Sequence, residues 1–490
     1  MSSATSGGTT PPRVPRRTGR LPAPPFPPGR RLHAVLVERA TPRLVELLAA
    51  ALDGTGPAVA PLDAALPAAQ LDDLLATLAP DTVEDPDGAT TARSGEKRGV
   101  ADSTAVIVGT SGSTGVPKGV ELSAAALLHS ARASLARLGA RPGERWLCCL
   151  PAAYIPGIQV LVRSLVSGAD PVLADRADAE TVAASGCAHV SLVPTQLRRL
   201  LDVDRATNAG APAPLAGFRS VLVGGAAAPA DLLDAARAAR LPVVTSYGMT
   251  ETCGGCVYDG IALDGVQVKI GDEDGRIWIG GPVLFSGYRQ GPEGPGSPGG
   301  PGGYEGAGSP PVRGGSRGVA PPDDVAPPDD TSWFRTGDLG RLDSSGRLTI
   351  RGRADDVINT GGYKVVPGEV AAALQTCPGV RDAAVLGQPD PEWGERVVAV
   401  VAPADPADPP TLELLRLHVR ERLPRYAAPS RIVVIDAVPV LPSGKPDIAQ
   451  LRRELLGGNK LGRRALVISA RIMCPAEDGA GKRGVLGGSL

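Results

Sequence analysis

The chain has 490 residues, 51 basic and 52 acidic side chains, a formal net charge of −1 and a 42% hydrophobic fraction. That length holds several domains with sizeable cores, and the charge offers no global field for nucleic acid or an anionic membrane. Seven cysteines, an odd number scattered along the chain, argue against a secreted disulfide scaffold, and no stretch approaches the ~20 apolar residues of a membrane span.

Residues 1–31 carry six arginines and no acid, with no apolar run behind them. They read as a disordered basic tail rather than a secretory signal, and the expected compartment is the cytoplasm. From Leu32 short apolar runs alternate with amphipathic helices. Thr41-Pro42 opens a helix through Leu52, with threonine as N-cap and proline in the first turn. The apolar run Ala105-Val106-Ile107-Val108 reads as a buried strand. Thr110-Ser111-Gly112-Ser113-Thr114-Gly115-Val116-Pro117-Lys118-Gly119 follows it, with three glycines, four hydroxyls and one lysine. Glycines let backbone N–H groups curl around an anion, and hydroxyls and an ammonium add donors to phosphate oxygens. The loop therefore points to a nucleotide triphosphate. It is not the common phosphate loop, because Lys118 follows a proline and precedes a glycine.

Ser123 caps a helix to Leu138. Residues 145–150, 189–193, 219–223 and 242–246 read as buried strands with helices between them, which implies largely parallel α/β sheets. The last of these strands runs into Ser246-Tyr247-Gly248-Met249-Thr250-Glu251-Thr252, and ligands in open α/β sheets bind beyond such strand ends. Cys253 and Cys256 have metal-like spacing but no second pair nearby, so they read as packing residues. Residues 289–332 lose all apolar periodicity in favour of Pro, Gly and paired Asp, and read as a disordered insertion. Order resumes at Trp333-Phe334-Arg335-Thr336-Gly337-Asp338. By itself an Asp after Thr-Gly is a turn residue.

The run Arg351-Gly352-Arg353-Ala354-Asp355-Asp356-Val357-Ile358-Asn359-Thr360-Gly361-Gly362-Tyr363-Lys364 leads into a compact α+β unit. Pro367 starts a helix through Gln375, and residues 380–386, 396–401 and 431–435 read as strands. Thr411 caps a helix with Leu412, Leu415, Val419 and Leu423 on one face. Leu441-Pro442-Ser443-Gly444-Lys445-Pro446 follows, and residues 458–490 receive no fold. His189 begins a strand and has no evident partner in the sequence.

The ordered set of Ser-Gly-Ser-Thr-Gly-x-Pro-Lys-Gly, Tyr-Gly-x-Thr-Glu, Thr-Gly-Asp, the Arg353–Lys364 stretch and Pro-Ser-Gly-Lys resembles the adenylate-forming superfamily of acyl-CoA synthetases, luciferases and peptide-synthetase adenylation domains. The resemblance implies an α/β fold. A large N-terminal domain of layered, mostly parallel sheets and helices spans 32–352, and a small mobile α+β C-terminal domain spans 353–457. It implies ATP or AMP binding by Thr110, Ser111, Gly112, Ser113, Thr114, Gly115, Lys118, Tyr247, Gly248, Thr250, Asp338 and Arg353. Tyr247 would present a flat face to adenine, and Asp338 would accept from the ribose hydroxyls. Thr250 would touch phosphate and Glu251 would hold Mg²⁺, an ion that favours carboxylate oxygen and substrate phosphate. Asp355 takes the hinge position, and Gly362 the lining of a coenzyme A tunnel. Lys445 takes the catalytic position, bridging attacking carboxylate and α-phosphate.

The segments 150–165, 190–197 and 247–266 resemble o-succinylbenzoate–CoA ligases of menaquinone synthesis. Such an acid has one carboxylate to activate and a second to hold, and Tyr154, Arg163, Ser191 and Thr195 are the candidates for holding it. The implied partners are a small carboxylic acid, ATP and coenzyme A, with no nucleic acid and no membrane span, and with room for a homodimer. A general aryl- or acyl-CoA ligase, an adenylation enzyme loading a carrier protein, and a degenerate nucleotide-binding relative remain the alternatives.

Overall fold

A computed structural model describes residues 29–93, 98–111, 117–206, 214–289, 333–440, 446–456 and 466–469. The core is a stack of two sheets and three helical layers. The first sheet has seven strands in the order Gly287–Arg289, Pro117–Ser123, Thr104–Ser111, Ala58–Asp63, Leu32–Val37, Thr82–Glu84, Thr90–Ala92. The second also has seven, in the order Ile261–Ala262, Gly254–Tyr258, Val243–Met249, Ser220–Val223, His189–Leu192, Trp146–Cys148, Val172–Leu173. Both are parallel at their centres, as the strand–helix alternation predicts. Both edges of the first sheet and the Ile261–Ala262 edge of the second are antiparallel, while Val172–Leu173 at the other edge pairs parallel.

Strand parity explains the layering. In Leu32–Val37, Val35 and Val37 face an inner cluster, while Leu32 and Ala34 face an outer one. The inner cluster is shared with the helices Pro42–Asp53, Ala124–Arg137 and Ile155–Ser167, which lie between the two sheets. The far face of the second sheet packs Val190, Leu192, Val221 and Val223 against Leu197, Leu200, Leu232 and Ala236 of two outer helices. Burial on both faces is why these strands read as continuous apolar runs. The predicted caps form: Thr41 Oγ1 accepts from Leu44 N at 3.2 Å and Ser123 Oγ from Ala126 N at 3.1 Å.

A third sheet of four antiparallel strands, Gln267–Ile270, Arg276–Gly280, Trp333–Leu342 and Leu348–Arg353, is absent from the sequence reading. Residues 290–332 separate its first two strands from its last two. The insertion itself lies outside the described residues, but its expected first residue does not belong to it. Arg289 ends a strand and is buried, donating to Leu78 O at 2.7 Å and to Arg98 O.

The small unit is a sheet of Tyr363–Val365, Ile358–Thr360, Gly394–Pro403, Arg431–Val434 and Leu466–Ser469, with Val380–Asp390 also pairing to Gly394–Pro403. The helices Pro367–Gln375 and Leu412–Arg420 cover one face. Two expectations change here. Leu423 lies past the end of its helix and packs against the small core from the following turn. Residues 466–469, within the stretch given no fold, pair antiparallel with Arg431–Val434 as an edge strand.

Candidate active site

Three sheets bring the sequence motifs together. The Gly/Ser/Thr-rich segment joins two antiparallel strands, with Thr110 opposite Lys118 and Ser111 opposite Pro117. Thr110 Oγ1 donates to Lys118 O at 3.4 Å. Gly112, Ser113, Thr114 and Gly115 lie outside the described residues, as does Lys445.

Lys118 reaches across to the second sheet, where its Nζ lies 3.7 Å from Glu251 Oε1. Glu251 sits in a short 3-10 turn, Thr250–Thr252, at the end of the strand Val243–Met249. Thr252 braces that turn: Met249 N donates to its Oγ1 at 3.0 Å, and Oγ1 lies 2.8 Å from Gly254 O. Gly248 has a steric reason to be glycine, because a Cβ there would stand 2.0 Å from Gly254 O.

Tyr288 is a site residue that the motifs did not reveal. Its hydroxyl donates to Glu251 Oε1 at 2.8 Å, and its ring carries the Lys118 ammonium 3.7 Å from the centroid. Desolvation, reinforced by Glu251, lifts the phenol far above its ordinary pKa, so it remains a donor. Only a Gly-Tyr at a strand edge could have hinted at this, because Tyr288 and Glu251 meet through the pairing of Gly287–Arg289 with Pro117–Ser123.

Asp338 joins the second and third sheets. Its Oδ2 accepts from Tyr247 OH at 2.9 Å and its Oδ1 from Arg353 Nη1 at 3.3 Å. Arg353 stands directly opposite Asp338 in the antiparallel pair. Its guanidinium also lies 3.6 Å from Asp355, and Arg276 lies 3.5 Å from that same carboxylate. Asp355 thus sits in the turn that leaves the third sheet for the small unit, held by Arg276 and Arg353, two arginines of that sheet. Gly361 and Gly362, with φ of +56° and +83°, form the two-residue turn of a hairpin. That backbone requirement, rather than a close neighbour, explains Gly362, since a Cβ there would meet nothing within 4 Å.

The acid-site candidates separate. Arg163 is 4% exposed and donates to Ser191 Oγ at 3.0 Å, Ser134 Oγ at 3.3 Å and Tyr258 OH at 3.5 Å. Its guanidinium lies 4.4 Å from the Trp146 ring centroid. Among the described residues no carboxylate is within ion-pair distance of it. Desolvation lowers its pKa, yet arginine remains protonated in proteins. Tyr154 is turned elsewhere, donating to Asp63 Oδ2 at 3.1 Å, and Thr195 makes no side-chain hydrogen bond among the described residues. Ser134 and Tyr258 were missed because both lie far in sequence from Arg163.

The remaining signals are structural. Cys253 and Cys256 are fully buried, and desolvation raises Cys256 to about 12. His189 does have a partner: its Nε2 lies 3.0 Å from Glu144 Oε2, with Ser220 Oγ 2.8 Å from Nδ1. Among the described helices none is long and apolar enough to cross a membrane.

The Lys118–Glu251 pair and the Tyr247–Asp338–Arg353 cluster stand at strand ends of an α/β fold, where such sheets bind ligands. The chain belongs to the AMP-binding enzyme family, whose main domain matches residues 34–289 and whose C-terminal domain matches residues 369–445. It is 43% identical over 369 residues to a Mycobacterium tuberculosis protein named "Probable 2-succinylbenzoate–CoA ligase", covering 73% of this chain and 86% of that one. A Listeria monocytogenes 2-succinylbenzoate–CoA ligase is 30% identical, covering 70% of this chain and 68% of that one. Among solved structures, the Bacillus subtilis o-succinylbenzoate CoA synthetase in complex with the acyl-adenylate intermediate OSB-AMP matches with a TM-score of 0.67 and 26% identity, over 86% of this chain and 88% of that one. ATP-bound MatB from Rhodopseudomonas palustris, at 24% identity and a TM-score of 0.70 over 88% of this chain and 90% of that one, shares the fold.

Proposed function

We propose that this chain is an ATP-dependent acid–CoA ligase acting on o-succinylbenzoate in menaquinone biosynthesis, in the cytoplasm. The observation that carries the choice of acid is Arg163. A buried guanidinium without a carboxylate partner is costly, and among the described residues only hydroxyls and a Trp146 face offset it. A second carboxylate on the substrate completes the pair. The relatives' names support the same acid.

In the first half-reaction the aliphatic carboxylate attacks the α-phosphorus of ATP and pyrophosphate leaves. Thr110, Ser111, Gly112, Ser113, Thr114, Gly115, Lys118 and Thr250 donate to phosphate oxygens, and Gly248 lets the backbone pack closely behind them. Asp338 and Arg353 hold the ribose, and Tyr247 flanks adenine. Glu251 fits as a magnesium ligand, because a single carboxylate plus substrate phosphates is a usual coordination for that ion. A magnesium ion held there would neutralise phosphate charge. Lys445 bridges the two reacting anions. The small domain, 353–457, then rotates about Asp355. The coenzyme A thiol, entering past Gly362, attacks the acyl carbonyl and AMP departs.

The test is AMP release, dependent on both ATP and coenzyme A, with o-succinylbenzoate against a panel of benzoates and fatty acids. Strong preference for o-succinylbenzoate is the expected result; activity only on other acids would sink the assignment. Replacing Tyr288 with phenylalanine removes one hydrogen bond from Glu251. The expected result is a several-fold higher half-saturating Mg²⁺ concentration with an unchanged KM for coenzyme A. An unchanged Mg²⁺ dependence would detach Tyr288 from the metal site.

A further inference from the structure

The helix Ile155–Ser167 carries a second buried polar side chain one turn before Arg163. Gln159 is 2% exposed, and among the described residues neither its Oε1 nor its Nε2 has a hydrogen-bond partner. Arg163 Nε is likewise buried and unpartnered. Residues four apart lie on one helix face, about 6 Å apart along the axis. Both face the strand Gly254–Tyr258. A Cβ placed on Gly254 would lie 3.2 Å from Gln159 Cγ, and Arg163 reaches the Tyr258 hydroxyl. That strand begins three residues beyond Glu251. The polar groups therefore follow one another along this strand, a seam of Glu251, Gln159 and Arg163 in that order. Buried polar groups in folded proteins are nearly always paired, so two adjacent exceptions on one face call for a ligand.

We propose that Gln159 is a specificity-determining residue whose carboxamide donates to the ketone oxygen of the acid substrate. This rests on the reading of the acid given above. In o-succinylbenzoate the ketone stands between the carboxylate to be activated and the aryl carboxylate. Gln159 holds the same middle place between Glu251 and Arg163. The amide's Nε2 donates to the ketone, and its Oε1 is left to water carried in the seam.

The test compares wild type with Gln159→Met on two acids, o-succinylbenzoate and 4-(2-carboxyphenyl)butanoate, which keeps both carboxylates but has a methylene in place of the ketone. Pyrophosphate release gives kcat/KM for each. Wild type is expected to favour the keto acid by about tenfold or more. The variant is expected to lose about tenfold on the keto acid and less than about twofold on the other, so the preference collapses. Equal losses on both acids, or none on either, overturn the proposal while leaving the ligase assignment intact. A wild type inactive on both acids overturns the assignment and this inference together. Gln159→Leu repeats the comparison should the methionine variant fail to fold. Removing an orphaned amide is expected to leave the melting temperature level or raised; a fall of several degrees with both acids slowed alike marks a purely structural residue.

Discussion

Lys445→Ala is expected to slow acyl-adenylate formation by at least about a hundredfold while leaving thioester formation from supplied acyl-AMP within about threefold of wild type. The physical reason is specific to the first step. An anionic carboxylate approaches an anionic α-phosphate, and charge accumulates on the oxygens between them. An ammonium placed there neutralises charge where it builds, in a site that excludes water. Thiol attack on the adenylate expels AMP after the small domain has rotated, so the same ammonium has no comparable charge to meet. ATP–pyrophosphate exchange reads the first step, and coenzyme A consumption with preformed acyl-AMP reads the second. Equal loss in both would refute the assigned role. Lys445 is one of only seven lysines in the chain and closes the stretch matched by the family's C-terminal domain.

The second large effect is expected from Arg163→Met. For o-succinylbenzoate, kcat/KM is expected to fall by about a hundredfold or more, because the aryl carboxylate then enters a buried seam with no cation. For 4-oxo-4-phenylbutanoate, which lacks that carboxylate, the expected change is within about threefold, or a gain. Stability is expected to move the other way. Methionine supplies apolar volume and removes an unpaired buried charge, so the melting temperature holds or rises. A structural arginine gives the opposite pattern, with a lower melting temperature and both acids slowed alike. Ser134 and Tyr258, two of the hydroxyls that now hold the guanidinium, keep each other partly satisfied in the variant, since Ser134 Oγ and Tyr258 OH lie 2.7 Å apart.

What the amino-acid order determined by itself is local. Thr41, Ser123 and Thr411 cap their helices as read, because a cap needs only a backbone N–H three residues away. The buried parallel strands were visible as apolar runs for a similarly local reason. The motifs at Thr110–Lys118, Tyr247–Glu251, Asp338 and Arg353–Asp355 were also legible, because each packs its chemistry into a few consecutive residues.

Only the tertiary structure decided which of these groups meet. Tyr288 reaches Glu251 across 37 residues, Tyr247 reaches Asp338 across 91, and Arg163 reaches Tyr258 across 95. No periodicity encodes a contact of that separation; it exists once strands pair and sheets stack. The third sheet was hidden in the same way, since antiparallel strands split by residues 290–332 have no helical rhythm between them. The acid site shows the limit most clearly. Arg163 was visible as a charge on an apolar helix. Its hydroxyl partners, its unmatched charge and the orphaned amide of Gln159 one turn away are facts of burial, and burial is decided by the whole packed chain.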